Sequence, residues 1–283
     1  MMNDFPNLDE LIDMALREDV GDGDHSTLAC IPASAQGKAR MIAKQPGLLC
    51  GTVVGKRIFH RVDPRLEVVL YKKDGDPLAK GDKVMTVSGS AASILTAERT
   101  VLNFMQRMSG IATQTHAMTM QLEGMHTRLL DTRKTTPGMR LLEKYAVKCG
   151  GAVNHRIGLY DMVMLKDNHI DFAGGIEAAI ERTHDYLTSH QKDLRIEIEV
   201  RSLDELERVL RHGGVHRIML DNFDVPTLRE AVKRIGGRFE TEASGGITAE
   251  TLHSYAETGV DYISVGALTH HIKSLDLSLV SDI

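Results

Sequence analysis

Asp131-Thr132-Arg133-Lys134-Thr135-Thr136-Pro137-Gly138 opens an irregular stretch that continues to residue 169 and lies between apolar runs on both sides. The stretch is rich in cationic side chains. These are Arg133, Lys134, Arg140, Lys144, Lys148, His155, Arg156 and Lys166. Because the whole chain has a formal net charge of -5, this concentration of cations predicts that an anionic ligand binds among them.

The cations of this stretch fall into two groups. Arg140, Lys144 and Lys148 follow one another at four-residue spacing, which places them on one face of a helix over residues 139–148. We interpret these three as solvated surface. Each of the others follows or ends an apolar run, where a strand gives way to a loop and where binding residues collect.

After residue 124, strand-like runs alternate with helical patterns, which is typical of a parallel sheet with right-handed crossovers. The predicted strands are residues 127–130, 162–165, 194–200, 217–220, 239–242 and 261–265. The predicted helices among the later strands are residues 202–211, 225–235 and 248–257. Six strands are fewer than the eight of a complete barrel, so the pattern alone leaves an open sheet and an incomplete barrel undecided.

The first part of the chain has a different pattern. Short apolar runs broken by Pro and Gly predict short strands and turns over residues 38–87. A long helix is predicted over residues 96–122, with Ser109-Gly110 as a candidate break. Arg99 and Arg107 share one face of this helix, and their spacing alone makes both ordinary surface arginines.

The carboxyl ends of the predicted parallel strands carry the remaining polar groups, and ligands of α/β folds collect at that edge. Glu199 and Asp221 end two neighbouring strands. Ser244-Gly245-Gly246 ends another strand and opens a helix, whose free peptide N–H groups suit a phosphate. Alone, such a segment is more often a plain turn. Paired with Ser264-Val265-Gly266 after the final strand, it resembles the phosphate cup of sugar-phosphate barrels and predicts a phosphate site beside the carboxylates.

Glu197 alternates with Glu199 on one strand, so both side chains point to the same face. A buried carboxylate is unfavourable without a partner. Lys166 and Lys134 are the candidate partners of Glu197.

Composition excludes several classes of protein. Apolar residues make up 42% of the 283 residues, enough for one large or two ordinary domains. Three cysteines without paired spacing argue against a disulfide framework or a cysteine-based metal site and favour a reducing, cytoplasmic compartment. No targeting segment or membrane-length apolar run is evident. An aromatic content of 4%, with 34 Lys and Arg against 39 Asp and Glu, argues against a nucleic-acid surface.

Several ordered motifs resemble those of quinolinate phosphoribosyltransferases. They are the quoted segment at residues 131–138, Glu143-Lys144-Tyr145-Ala146-Val147, His155-Arg156-Ile157-Gly158-Leu159 and Leu165-Lys166-Asp167-Asn168-His169. The resemblance extends over nearly the whole chain. Ala152 departs from it where the family usually has glycine, and His271 departs where it usually has serine.

The resemblance implies an α/β fold of the type II phosphoribosyltransferase kind. An N-terminal α/β sandwich domain would cover residues 1–110 and be joined by the C-terminal residues 275–283. An irregular, incomplete α/β barrel would cover residues 111–274 and carry the site. The implied reaction joins quinolinate to phosphoribosyl pyrophosphate (PRPP) and yields nicotinate mononucleotide, pyrophosphate and carbon dioxide in NAD synthesis.

The resemblance also implies roles for individual residues. Quinolinate would contact Arg99, Arg133, His155, Arg156 and Lys166. The 5-phosphate of PRPP would lie in a glycine cup of Ser244, Gly245, Gly246 and Gly266, similar to the cup of sugar-phosphate barrels. Lys134, Glu199 and Asp221 would take part in catalysis, and the two carboxylates would hold Mg²⁺. Arg99 would act in the site of a neighbouring subunit, which predicts a homodimer with shared active sites and leaves a higher oligomer open.

Two alternatives compete with this interpretation. One is a related pyrophosphorylase that acts on another pyridine-like substrate, such as the paralogue associated with molybdenum transport. The other is a sensor that keeps the glycine cup to bind a phosphosugar without catalysis. The full set of cations and carboxylates argues against the sensor.

Overall fold

The computed structural model describes residues 5–282 and has a mixed α/β architecture. Its residues belong to two units. Among the described residues, the first unit comprises residues 5–116, 136–151 and 271–282. The second unit comprises Ala117–Thr135 and Ala152–His270. Among residues 5–282, no helix combines the length and the apolar character that a bilayer crossing needs.

The first unit is built on antiparallel strands. Its strands are β1 Gln36–Ala43, β2 Gly47–Leu48, β3 Glu67–Leu70, β4 Pro77–Leu78, β5 Lys83–Ser90 and β12 Leu277–Ser281. Its helices are α1 Leu8–Val20, α2 His25–Cys30, α3 Thr52–Val62, α4 Ala91–Thr119 and α5 Arg140–Cys149. One sheet has the strand order β12-β1-β5-β3, and β2 pairs with β4 separately.

The central strand β1 shows why this sheet forms. Ala39, Met41 and Ala43 are buried on one face, while Lys38 and Arg40 alternate with them on the other. β12 pairs with β1 from Ala39 opposite Ser281 to Ala43 opposite Leu277, so the last strand of the chain completes the sheet of the first unit.

Helix α4 runs unbroken through the predicted break at Ser109-Gly110. Gly110 is required for a different reason, which is close packing. A Cβ at this position would lie 2.9 Å from the Cα of Ser274 and would also meet the carbonyl oxygen of Lys273. The glycine therefore allows the segment before β12 to pass against the helix.

Two interpretations of the cations in this unit were wrong. Lys144 is buried, at 1% exposure, whereas Lys148 is exposed. Spacing placed them on one face of α5 but could not tell which part of that face packs. Arg107 donates from Nε (2.9 Å) and Nη2 (2.6 Å) to Oε1 of Glu143, a fully buried carboxylate, so it is more than a surface arginine.

Arg107→Ala is expected to lower the free energy of unfolding by about 3 kcal/mol, because it leaves the Glu143 carboxylate buried without this partner. Urea denaturation would measure the change. Lys148→Ala, on the exposed side of α5, should change stability by less than about 0.5 kcal/mol. Equal effects of both substitutions would contradict a structural role for the Arg107–Glu143 pair.

The second unit contains a parallel sheet. Its strands are β6 Arg128–Leu130, β7 Val163–Leu165, β8 Ile196–Val200, β9 Arg217–Asp221, β10 Glu240–Ser244 and β11 Tyr262–Ser264. Its helices are α6 Asp167–Ala173, α7 Ile176–Ser189, α8 Leu203–His212, α9 Val225–Ile235, α10 Leu252–Ala256 and α11 Ala267–His270. A short 3-10 helix, Met120–Leu122, precedes them.

The order of the parallel strands is β6-β11-β10-β9-β8-β7, and the two edge strands do not pair with each other. Within residues 5–282 the only addition to the β6 edge is an isolated bridge between Leu130 and Val153. This is the incomplete barrel that the resemblance implied, and each of the six predicted strands is present. Because all six strands are parallel, their carboxyl ends meet at one edge.

Candidate active site

A cavity of about 920 Å³ opens at the carboxyl ends of the parallel strands, and its lining residues belong to the second unit. Every site residue predicted from the sequence lines it, with the exception of Arg99. Arg99 is an exposed residue of α4 in the first unit. The cavity thus brings the strand-end cations, carboxylates and glycines together.

Asp131, at the end of β6, organises the cationic side of the cavity. Its buried carboxylate accepts the peptide N–H of His155 at Oδ1 (2.8 Å) and the side-chain amide of Asn154 at Oδ2 (2.6 Å). Arg156, the residue after His155, donates from Nη1 to the carbonyl of Met162 (3.1 Å). Burial lowers the pKa of Arg156, and the neighbouring Arg133 charge lowers it further. Both guanidinium groups line the cavity, as suits a dianion.

A buried network lies behind these cations. His155 Nε2 is 3.0 Å from Oε2 of Glu197 and 3.2 Å from Oε2 of Glu242. Arg217 donates from Nη1 to the same Glu242 oxygen (3.1 Å) and lies 3.9 Å from Glu197. The proposed pairing of Glu197 with Lys166 or Lys134 was therefore wrong, since its partner is His155.

The contacts within this network shift the pKa values of Glu197 and His155. Burial and the charge of Glu242 raise the pKa of Glu197 to about 7. Burial lowers the pKa of His155, but Glu197 and Glu242 outweigh it and raise that pKa to about 9. The peptide N–H of Arg156 donates to Nδ1 of His155 (2.6 Å), so Nε2 is the ring nitrogen that faces the two carboxylates. Arg217 supplies a cation to this cluster, which leaves little reason for a metal ion there.

Lys166 and Glu199 contact each other in the lining of the cavity. Nζ of Lys166 lies 3.4 Å from Oε2 of Glu199, and the peptide N–H of Lys166 donates to Nδ1 of His169 (3.0 Å). Burial raises the pKa of Glu199, and the charge of Asp221 adds to the rise while Lys166 opposes it. The two carboxylates therefore sense each other across the ends of β8 and β9.

The glycine cup is built by close backbone contacts. Asn222 has a left-handed backbone (φ +57°), and its N–H donates to the carbonyl of Ser244 (2.8 Å). A Cβ on Gly245 (φ +100°) would lie 2.8 Å from the backbone nitrogen of Asn222. A Cβ on Gly266 would lie 3.0 Å from Cδ of Lys134 and 2.9 Å from Nε2 of His270. A glycine is thus required at position 245, where a Cβ would meet the backbone of Asn222, whereas the neighbours of Gly266 are the ends of flexible side chains.

Lys134 is fixed by its backbone rather than by its side chain. Its N–H donates to Oγ1 of Thr132 (3.0 Å), and its carbonyl accepts the Thr269 hydroxyl (2.7 Å). The ammonium group can therefore face the cavity next to Gly266.

Several residues of the cavity were not predicted from the sequence, among them Glu242, Asn222 and His270. Glu242 alternates with Ser244 on β10, so the two-residue period could have placed it on the same face. Asn222 carried no such signal, because its role depends on a positive φ.

Comparison with known proteins agrees with this architecture. The model of the quinolinate phosphoribosyl transferase N-terminal domain matches residues 24–109, and that of the C-terminal domain matches residues 111–280. A decarboxylating quinolinate phosphoribosyltransferase of Nicotiana glauca, named mitochondrial, is 47% identical over 292 residues, covering 98% of this chain and 82% of that protein.

Bacterial proteins are similar as well. A probable carboxylating nicotinate-nucleotide pyrophosphorylase of Bacillus subtilis is 43% identical over 96% of this chain and 92% of its own length. The crystal structure of NadC from Streptococcus pyogenes superimposes with a TM-score of 0.92 at 41% identity, covering 96% of this chain and 95% of that one. Both domain families match in order along one chain, and the chain therefore belongs to the quinolinate phosphoribosyltransferase family.

Proposed function

We propose that this protein transfers the phosphoribosyl group of PRPP to the ring nitrogen of quinolinate. Pyrophosphate and carbon dioxide are released, and nicotinate mononucleotide is formed. Membership of the family supports this activity, which belongs to NAD synthesis. The observation that carries it is that a cation cluster and a glycine cup line one and the same cavity. A dicarboxylate and a phosphorylated sugar could occupy it together.

The cation cluster offsets the repulsion between the two anionic substrates. Arg133 and Arg156 would bind the carboxylates of quinolinate, since planar guanidinium groups suit bidentate contacts. His155 would be held against the same substrate by Glu197 and Glu242, at its Nε2. Lys166, which lines the same cavity, would complete the contacts.

The sugar would react between the two sides. The bond from C1 of the ribose to pyrophosphate breaks, the pyridine nitrogen attacks C1, and Lys134 stabilises the charge that develops on the leaving group. Glu199 and Asp221 would stabilise the electron-poor ribose. Carbon dioxide then leaves from C2, the electron pair of the broken bond stays on C2 beside the positively charged ring nitrogen, and C2 takes up a proton from solvent. Loss of carbon dioxide requires no separate base.

We further propose that Glu199 and Asp221 hold Mg²⁺. The fit rests on their position at the ends of neighbouring strands, and on the rise in the pKa of Glu199 through burial and the Asp221 charge. Mg²⁺ commonly takes one or two carboxylates and completes its shell with water and phosphate oxygens. The ion would neutralise charge on the pyrophosphate.

We propose that the protein forms a homodimer and that it is located in a reducing cytoplasm. The dimer is supported by the absence of Arg99 from the cavity lining, together with the resemblance that assigns this arginine to a neighbour's site. The compartment is supported by the free thiols of Cys30, Cys50 and Cys149.

Release of labelled carbon dioxide from the 2-carboxylate of quinolinate, dependent on PRPP, tests the activity directly. Quinolinate without PRPP is the control. Transfer to another pyridine without gas release would favour the related pyrophosphorylase, and binding of PRPP without turnover of any pyridine would favour a sensor.

Arg133→Ala and Arg156→Ala should each weaken quinolinate binding by about one to two decades, since each removes a charge-assisted contact of roughly 1.5 to 3 kcal/mol. Binding of PRPP should change little, because its phosphate would lie in the glycine cup. Calorimetric titration of each variant with each substrate measures both. An equal loss for the two substrates would rule out this division of the cavity.

A further inference from the structure

A second cluster of reactive side chains lies in the first unit. Cys50 follows β2, Asp74 lies in the turn before β4, and Cys149 is the last residue of α5. The two sulfur atoms and one oxygen of Asp74 all lie within 4.8 Å of one another. The sequence spacing of the cysteines argued against such a site, but the fold brings these two thiols together.

The separations suit one small cation. Zn²⁺ binds thiolate sulfur at about 2.3 Å and carboxylate oxygen at about 2.1 Å, and in a tetrahedral shell this places neighbouring ligand atoms roughly 3.5 to 3.8 Å apart. The three donor atoms need only small side-chain adjustments to reach that geometry. A disulfide, by contrast, needs the two sulfurs about 2 Å apart.

The ligands are supported by a second layer of contacts. Asp74 accepts the Thr52 peptide N–H at Oδ1 (2.8 Å) and the Tyr145 hydroxyl at Oδ2 (2.9 Å). Ser109 holds the backbone of Cys50 by accepting its N–H (2.9 Å) and donating to its carbonyl (3.1 Å). Contacts of this kind orient metal ligands and limit their alternatives.

Both thiols must lose a proton to bind a cation as thiolates. Each would release its proton as its sulfur–metal bond forms, so uptake of a cation would be accompanied by proton release.

We propose that Cys50, Asp74 and Cys149 form a binding site for a thiophilic divalent cation such as Zn²⁺, with solvent as the fourth ligand. Two thiolates select soft cations over Mg²⁺ or Ca²⁺, which prefer oxygen. The site is structural in its consequence, since it would tie together three segments that are far apart in the chain. It is independent of the reaction proposed above.

Titration of the reduced, metal-free protein with Zn²⁺, and with Cd²⁺ followed by cadmium–thiolate absorption, tests the site. We expect about one equivalent per chain, with release of up to two protons per cation. Cys50→Ser and Cys149→Ser should lose this equivalent. Cys30→Ser is the matched control, because Cys30 is exposed and its thiol donates to the carbonyl of Ser26 instead, and it should bind like the unaltered protein.

Tyr145→Phe tests the site even if the cysteine variants fail to fold, since it removes only the hydroxyl that donates to Asp74. Binding should weaken by roughly tenfold and the thermal midpoint of the cation-free protein should change little. The proposal is overturned if the reduced protein takes up no cation, if Cys30→Ser abolishes uptake, or if the two cysteine variants bind as well as the unaltered chain. Loss of two titratable thiols in protein prepared without reductant, together with no uptake after reduction, would identify a disulfide pair instead.

Discussion

Mixing two inactive variants, Arg99→Ala and Lys134→Ala, should restore about a quarter of the unaltered activity. The reason is that each proposed site needs Lys134 from one chain and Arg99 from its partner. Random pairing at equal amounts makes about half of the dimers mixed, and each mixed dimer has one intact site and one that lacks both groups. Activity is measured after denaturation and joint refolding, so that subunits exchange.

A matched mixture serves as the control. Lys134→Ala and Lys166→Ala both alter residues that line the same cavity of one chain, so neither site of their mixed dimer is intact and no activity should return. Recovery in this control would mean that the variants retain activity of their own. No recovery in the Arg99 mixture, after exchange is verified, would mean that Arg99 serves its own chain or none.

Gly245→Ala should weaken PRPP binding by about two decades or more, because the cup would lose several charge-assisted N–H contacts at once. The new Cβ would meet the side-chain oxygen of Asn222 and lie 2.8 Å from its backbone nitrogen, on a backbone with φ +100°. Either the turn or Asn222 must move, and both shape the phosphate site. Titration with PRPP and with inorganic phosphate measures the loss.

Gly246→Ala distinguishes the contact from general strain. Gly246 also has a positive φ (+62°), but a Cβ there meets nothing within 4 Å. This substitution should lower stability by about 1 kcal/mol while phosphate binding changes far less than in Gly245→Ala. Similar affinities of the two variants for PRPP would exclude the cup as the phosphate site.

Much of the architecture could be predicted because apolar periodicity reports which residues are buried. The predicted helix at residues 225–235 coincides with α9, and the predicted strands at 194–200 and 217–220 correspond to β8 and β9 within two residues. These elements have a buried face along their whole length. The predicted helix at 248–257 was too long, because its first residues form turns before α10.

The site could be predicted in part for a related reason. Parallel strands bring their last residues to one edge, so Lys166, Glu199 and Asp221 could be grouped without knowing the strand order. The strand order decided the rest. Glu242 on β10 reaches the same histidine as Glu197 on β8, with β9 between them, and no local pattern contains that relation.

Contacts between segments that are distant in the chain could not be predicted from the sequence, for the same reason. Cys50 and Cys149 have no motif spacing, and they meet only because α5 belongs to the first unit. Lys144 shows the limit of helical periodicity, since four-residue spacing identifies a face but not what covers it.

The pairing of β12 with β1 has a consequence for the order of folding during synthesis. Arg40 on β1 forms an ion pair with Asp282 at a distance of 2.6 Å, although the two residues are 242 positions apart. While the ribosome is still adding the intervening residues, β1 presents an unpaired edge that no earlier strand covers. The first sheet to be translated is therefore the last to be completed. A chain whose synthesis is interrupted would expose the unpaired edge of β1, which could pair with strands of other molecules and cause aggregation.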